Sequence, residues 1–197
     1  MSNTEIEWLQ QARQGNDEAF ALLVETYQTP VFNLCYRMLG DPQEAEDAAQ
    51  ESFWRAYQAI QRYDPQRSFI TWLLSIAAHY CIDQQRRRKL PSFSIDEFTD
   101  DFIPDNSPDP EFAVSQNEEQ RLLHQLLADL GPQDRAAIVL RYWYDFSEDE
   151  ISKALSMSVS AVKSRLHRAR HNLAQRWPTS QQVITSKERK RHESPAF

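Results

Sequence analysis

Glycine and cysteine are scarce in this 197-residue chain, with 3 and 2 occurrences, and no apolar run approaches the roughly 20 residues that a membrane-spanning helix requires. Sparse glycine beside a hydrophobic content of 41% predicts a helical globular protein rather than a disordered one. The two cysteines, Cys35 and Cys81, each fall inside a helical pattern and lack CxxC spacing, which argues against a disulfide framework or a zinc site and predicts packed thiols. No signal peptide opens the chain, so the expected location is the cytoplasm, without membrane insertion. No nucleophile and base pair, metal-ligand cluster or glycine-rich phosphate loop stands out. Neither an enzyme nor a bound cofactor is expected.

Cations are outnumbered as well. The formal net charge is −7, and the stretch from Leu90 to Gln120 holds no Lys or Arg at all. The basic residues gather instead in three places, Arg86 to Lys89, Lys163 to Arg176 and Lys187 to Arg191. A phosphate responds to the local field within a Debye length of about 8 Å at physiological salt, so an acidic chain can still hold nucleic acid at such patches.

The pattern along the chain is helical throughout, with legible stops. Thr4 to Glu7 fits a capping box that starts a short helix ending near Gly15-Asn16. From Asp17, Phe20, Leu23, Val24, Tyr27, Val31 and Leu34 keep a helical period to Gly40, with a kink expected at Pro30. Asp41-Pro42-Gln43-Glu44 then supplies an N-cap, a proline at the first helical position and a capping-box carboxylate. The helix that follows, to about Gln61, turns Ala45, Ala49, Phe53, Tyr57 and Ile60 inward and leaves Glu46, Asp47, Gln50, Glu51 and Trp54 as an acidic strip with one large aromatic. That strip reads either as a protein interface or as a solubilising face with Trp54 partly covered.

The segment from Tyr63 to Lys89 combines aromatics and cations. Asp64-Pro65 marks a turn, Ser68 or Thr71 can cap a new helix, and Phe69, Leu73, Ile76 and Tyr80 form its apolar stripe. Trp72, Ser75, His79, Asp83 and Arg86 align on another side, followed by Arg87, Arg88 and Lys89. Stacking groups beside phosphate-binding cations suit single-stranded nucleic acid, although an amphipathic helix with a solvated basic end explains these residues equally well. Residues 90–109 read as an acidic linker carrying Phe93, Phe98, Phe102 and Ile103. Asp109-Pro110 restarts a helix with a stripe at Leu122, Leu126, Leu127 and Leu130, and Pro132 to about Tyr144 forms another with Ile138, Val139, Tyr142 and Trp143 apolar.

Ser147 to Glu150 forms a capping box on a short helix through Ile151, Ala154 and Leu155, a turn covers Ser156 to Val159, and Ser160 can cap a last helix striped by Val162, Leu166, Ala169 and Leu173. Two short helices joined by such a turn, the second basic, have the form of a helix-turn-helix. Ser160, Lys163, Ser164, His167, Arg168 and His171 lie opposite the stripe, on the side a recognition helix presents to the major groove, with Arg165 and Arg170 flanking it for phosphates. His167 and His171 are spaced for a shared metal, but no third ligand is apparent. The fold class is therefore all-α. It comprises a domain over residues 1–89, a linker over 90–109, a second domain over 110–177 and a basic, disordered tail over 178–197. A duplex-binding helix-turn-helix regulator, or an adaptor without DNA contact, would also accommodate the motif by itself.

Three segments in order resemble the extracytoplasmic-function group of bacterial RNA polymerase sigma factors: AEDAAQESFWRAY (Ala45 to Tyr57), SFITWLLSIAAHYCID (Ser68 to Asp83) and EDEISKALSMSVSAVKSRLHRAR (Glu148 to Arg170). The resemblance spans about Asp17 to Trp177. It implies a stress-type, alternative sigma factor that binds core RNA polymerase, recognises the −35 and −10 promoter elements and helps open DNA. It further implies that Asp47, Gln50, Glu51 and Trp54 meet the β′ clamp helices and that the second domain docks on the β flap. Strand opening would fall to Tyr63, Asp64, Arg67, Ser68, Phe69, Trp72, Ser75, His79, Asp83, Arg86, Arg87 and Arg88. Duplex reading at −35 would fall to Ser160, Lys163, Ser164, Arg165, His167, Arg168 and His171. An anti-sigma protein is implied as a further partner. The family usually carries Arg where Ala78 stands and Asn where His79 stands, so a lost phosphate contact and an altered −10 preference are expected. At Ser160-Ala161 the family often has Gly-Thr, which keeps a cap and removes a hydroxyl.

Overall fold

A computed structural model describes residues 3–65, 67–89 and 121–192, with side chains described for 4–65, 67–88 and 121–176. Every described element is helical: α1 (Asn3–Arg13), α2 (Asp17–Leu39), α3 (Pro42–Ala59), a 3-10 turn (Ile60–Arg62), α4 (Phe69–Lys89), α5 (121–128), α6 (Pro132–Trp143), α7 (Glu148–Ala154) and α8 (Val159–His192).

Helices α1 to α4 form the first unit around α2, which packs on each of the other three. The Asn16 side chain caps α2 by accepting from the Ala19 N–H at 3.0 Å, and Gly40 ends the helix in the left-handed conformation at φ 86°, donating to the Tyr36 carbonyl. Only glycine adopts that backbone without a Cβ penalty, which is why the stop falls there. Pro30 lies inside α2, whose helical run continues past it to Leu39. On α3, Ala45, Ala48, Ala49, Ser52, Phe53 and Ala56 are buried, and so many small residues on one face let α2 and α4 approach closely. Phe69, Leu73, Leu74, Ala77, Ala78, Cys81 and Ile82 fill the core from α4. Each fully buried large side chain of this kind contributes about 1.5–3 kcal/mol.

Some expected local details change. Helix α1 already includes Asn3, so Thr4 sits in its first turn rather than capping it. Asp41 caps α3 by accepting from the Glu44 N–H at 2.8 Å, but the Glu44 carboxylate turns away from the cap and pairs with Arg88. Ser68 precedes α4 at the cap position, where its carbonyl accepts the Trp72 N–H at 3.1 Å. Cys35 and Cys81 are free, fully buried and hydrogen-bonded to each other across α2 and α4, and that bond together with burial pushes the Cys81 thiol well up, so Cys81 packs as a neutral thiol.

The second unit gathers Leu126, Leu127 and Leu130 with Ile138, Val139 and Leu140 of α6, Ile151 of α7 and Val162, Leu166 and Ala169 of α8. Ser147 and Glu150 complete the expected capping box, and the backbone and hydroxyl bonds from Ser147 hold the Glu150 carboxyl below its ordinary range. Tyr142 is exposed rather than apolar core. The cap of α8 is Ser158, whose hydroxyl accepts the Ala161 N–H at 3.2 Å, and not Ser160. Helix α8 also carries on through Pro178 to His192, where an unstructured tail was expected. The start of α5 and the acidic linker, with Phe93, Phe98, Phe102 and Ile103, lie outside the described residues. Helices α6 and α7 of the second unit sit against α2 and α4 of the first.

Candidate functional site

Three surfaces carry the residues singled out above. The first is the outer side of α3. Asp47 and Gln50 are exposed, and Glu51 pairs with Arg55 one turn on at 2.7 Å. Trp54 is 55% exposed and lies stacked on Tyr57, with ring centres 5.9 Å apart and planes 20° from parallel. Trp54 is thus partly covered by Tyr57 while more than half of its surface stays open to solvent or to a partner. Beside it, α2 and α3 enclose an open apolar groove of about 990 Å³ lined by Phe20, Val24, Phe32, Phe53, Trp54 and Tyr57. The Tyr57 hydroxyl donates to Asp17 at 2.6 Å at the groove's edge.

The second surface is the loop after the 3-10 turn together with one side of α4. Tyr63 is almost wholly buried, packs on Phe69 and Trp72 at 5.5 and 5.1 Å, and donates its hydroxyl to the Arg67 carbonyl. Burial above all, then Glu5 and Asp64, pushes its phenol up to about 12, so it stays a donor. The Arg67 N–H returns a bond to the Asp64 carbonyl at 3.0 Å, closing the loop into a compact turn with Asp64, Arg67 and Ser68 outward. Gln66 lies outside the described residues. Phe69 is fully buried against Tyr27, Tyr63 and Trp72, which corrects its assignment to the strand-opening set: no face of the ring is free to stack on a base. Trp72 is half-buried and does both jobs, packing on Phe69 at 5.6 Å and reaching the surface. From it Ser75, His79, Asp83 and Arg86 continue outward as one row, tied by a Ser75 hydroxyl bond to the Trp72 carbonyl, a contact of 2.8 Å between His79 Nδ1 and the Ser75 carbonyl, and an Asp83–Arg86 pair at 3.8 Å. Arg87 is exposed, while Arg88 is paired with Glu44. Ala78 is fully buried, so this position faces the core.

The third surface is α8. Val162, Leu166 and Ala169 are buried, and Ser160, Lys163, Ser164, His167, Arg168 and His171 are all exposed, so one row of six faces away from the second unit. Lys163 lies 3.5 Å from Glu148, and Arg168 lies 3.9 Å from Asp134. Arg165 does not share their exposure. Its guanidinium turns back to Asp134 at 2.7 Å and to Gln133 on α6, with 27% of the side chain accessible, so it joins α8 to α6 instead of flanking the groove-facing row. Arg170 is exposed and folds onto the Leu166 carbonyl at 3.2 Å. No group of three potential metal ligands occurs among the described residues, His167 and His171 included, and no described helix is long and apolar enough to cross a membrane.

A sigma-70 region 2 profile matches residues 23–90, and a sigma-70 region 4 profile matches residues 120–173. The chain is 37% identical over 174 residues to the ECF RNA polymerase sigma factor SigW of Bacillus subtilis (strain 168), covering 84% of this chain and 92% of that relative. It belongs to the extracytoplasmic-function group of the sigma-70 family. Similarity to the ECF RNA polymerase sigma factor SigX of the same organism is 35% over 158 residues, covering 77% of this chain and 80% of SigX. Among solved structures, CnrH in complex with the cytosolic domain of CnrY superposes with a TM-score of 0.67 at 24% identity, covering 90% of this chain and 99% of that one, and so shares the fold. This sigma factor is accordingly a non-enzymatic initiation factor of the alternative type, which binds core RNA polymerase and promoter DNA. The three surfaces fall within the matched regions: the α3 strip and the α4 row in region 2, the α8 row in region 4.

Sequence reasoning missed Arg135, an arginine 8% exposed at the start of α6. Its only signal was a cation opening the apolar run Ala136 to Leu140.

Proposed function

We propose that the outward row of α8 reads the −35 element, that the 63–68 loop with the Trp72 to Arg87 row captures and guides the opened −10 strand, and that the α3 strip seats the polymerase clamp helices. The observation that carries this is the clean split of α8, with Val162, Leu166 and Ala169 buried and Ser160, Lys163, Ser164, His167, Arg168 and His171 exposed together. A helix presented this way enters the major groove, where short polar side chains and histidines reach base edges while Lys163 and Arg168 reach phosphates. Opening then costs a few kcal/mol per unstacked base, which stacking on the exposed edge of Trp72 and hydrogen bonding to Ser75 and His79 return in part. His79, larger than a carboxamide, reshapes the base preference at that point of the row. The second unit docks on the β flap, and the acidic linker threads toward the RNA exit path. The apolar groove beside Trp54 is the place where an inhibitory anti-sigma protein competes with polymerase, since burying Trp54 suits either partner.

Permanganate footprinting tests the whole reading. Core polymerase with this protein should render thymines near −10 reactive on genomic promoter fragments, and neither component alone should do so. Absence of reactive thymines at every promoter would overturn it.

A further inference from the structure

Arg135 makes a contact that the family's activity does not explain. The last carbonyls of any helix lack internal donors, and at the end of α2 the shortage is sharper, because Pro42 opens the next helix and has no N–H to offer. The Met38 carbonyl is met instead by two buried side chains from elsewhere, Gln85 of α4 and Arg135 of α6, the latter 97 residues away. The second guanidinium nitrogen of Arg135 donates at 2.6 Å to the Ala128 carbonyl, at the end of α5. One cation thus sits on the negative ends of two helices, one from each unit, the placement that the helix dipole favours. Burial in this position pulls the guanidinium below its ordinary value, and its Nε has no partner among the described residues.

Further contacts between the units surround it. The Tyr144 hydroxyl donates to the Pro30 carbonyl at 2.5 Å, Arg37 lies 5.1 Å over the ring of Trp143, and His124 packs on Tyr36 with ring centres 4.3 Å apart. The Pro30 carbonyl is thereby held from outside α2. None of these contacts covers Trp54 or the α8 row, which stay exposed.

We infer that Arg135 is a latch that closes the two units on each other in the free protein, with the C-terminus of α2 as its receptor. Closure has a functional consequence that rests on the promoter reading above. Elements near −35 and −10 lie about 25 base pairs apart, roughly 85 Å along a duplex rising 3.4 Å per step. A compact chain of this length has a radius of gyration of about 16 Å. The closed form therefore cannot span both elements, and the latch must open before the second unit reaches its site.

The test uses the full chain without polymerase or DNA, so that it stands apart from the promoter reading. Spin labels at Gln58→Cys and Asn172→Cys, both exposed positions, are read by double electron–electron resonance while circular dichroism monitors helix content. Cys35 and Cys81 are fully buried and stay unlabelled in the folded protein. The parent should give one narrow, short distance. Arg135→Ala should raise the open-to-closed ratio roughly ten-fold or more, and Tyr144→Phe about two- to ten-fold, with helix content retained. A broad distribution in the parent overturns the inference, as does a narrow parent distance unchanged in the folded variants. Should Arg135→Ala lose helix, Tyr144→Phe together with Trp143→Ala decides by the same criterion. Adding core polymerase afterwards separates the two readings: a verified latch that polymerase leaves closed refutes the promoter reading and not the latch.

Discussion

Replacing Arg165 and Lys163 separately by alanine distinguishes a residue that builds the recognition helix from one that uses it. Arg165 holds Asp134 at 2.7 Å and also bonds Gln133, with 27% and 18% of the Arg165 and Asp134 side chains accessible. Charge-assisted hydrogen bonds contribute about 1.5–3 kcal/mol net when sheltered. Partial exposure and the nearby Arg168, 3.9 Å from the same carboxylate, reduce the loss, so Arg165→Ala should cost about 2 kcal/mol. For a chain of this size that lowers Tm by about 4–8 °C. Lys163 is 64% exposed and 3.5 Å from Glu148, an arrangement worth about 0–1 kcal/mol, so Lys163→Ala should move Tm by no more than ~4 °C. Salt dependence gives the opposite ranking. A cation on phosphate contributes about 0.9 to the slope of log K against log salt, so Lys163→Ala should flatten duplex binding by about one unit and Arg165→Ala should leave the slope alone. Thermal melting with fluorescence anisotropy on a labelled duplex at several salt concentrations reads both. An Arg165→Ala protein that melts like the parent and loses a unit of slope would refute the assignment.

In α4, Phe69→Ala should cost about 3–5 kcal/mol of stability through the cavity it leaves, whereas the half-buried Trp72→Ala should cost less in a denaturant melt and lose more permanganate reactivity at −10 than duplex affinity; equal Tm losses with equal opening would refute the distinction. Acid should weaken closure through His124, whose imidazole is held below its ordinary value by burial first and then by Arg37 of α2 and Arg135 of α6, with Asp129 as an acid acting on Arg135. The open form then binds the proton more tightly, so this part of closure is complete above the ordinary value near pH 6.5 and is lost as pH falls below it; an inter-label distance that does not lengthen between about pH 7.5 and 5.5, or that lengthens equally in His124→Gln, would refute the coupling.

Local signals carried far in this chain because helix ends are chemically marked. Gly40 with Asp41-Pro42, and Ser147 with Glu150, place three helix boundaries to within a residue, since a left-handed stop, a prolyl start and a reciprocal cap each admit few alternatives. The exposed row of α8 followed from period alone. What period does not show is which of two adjacent faces is the more deeply covered. Phe69 stood in both the core stripe and the strand-opening set, and only packing against Tyr27, Tyr63 and Trp72 resolves it to the core. Arg165 and Ser158 went astray for a related reason. An arginine beside a basic row carries no mark of turning inward to Asp134, and among Ser156, Ser158 and Ser160 the capping hydroxyl depends on where the turn releases the backbone. Contacts between sequence-distant carbonyls and cations, such as Met38 with Arg135, leave no pattern in a single sequence.

The net charge of −7 and the binding of DNA are reconciled by how the cations are housed, not only by where they lie. Arg67 is 3.8 Å from Asp64, Arg86 is 3.8 Å from Asp83, Lys163 is 3.5 Å from Glu148, Arg168 is 3.9 Å from Asp134, and Arg88 is paired with Glu44. Most cations assigned to phosphates therefore already have a carboxylate. Such exposed pairs contribute about 0–1 kcal/mol each, so a phosphate displaces the carboxylate at little cost. The displaced acid nevertheless remains within a Debye length of the DNA and repels it, which holds down the affinity of the free chain for any duplex. Bound to polymerase, both units meet DNA at a high effective concentration, and the same modest contacts then suffice. On the proposed reading, weak intrinsic binding and dependence on the polymerase thus arise from one arrangement, in which most of the cations assigned to DNA carry a competitor.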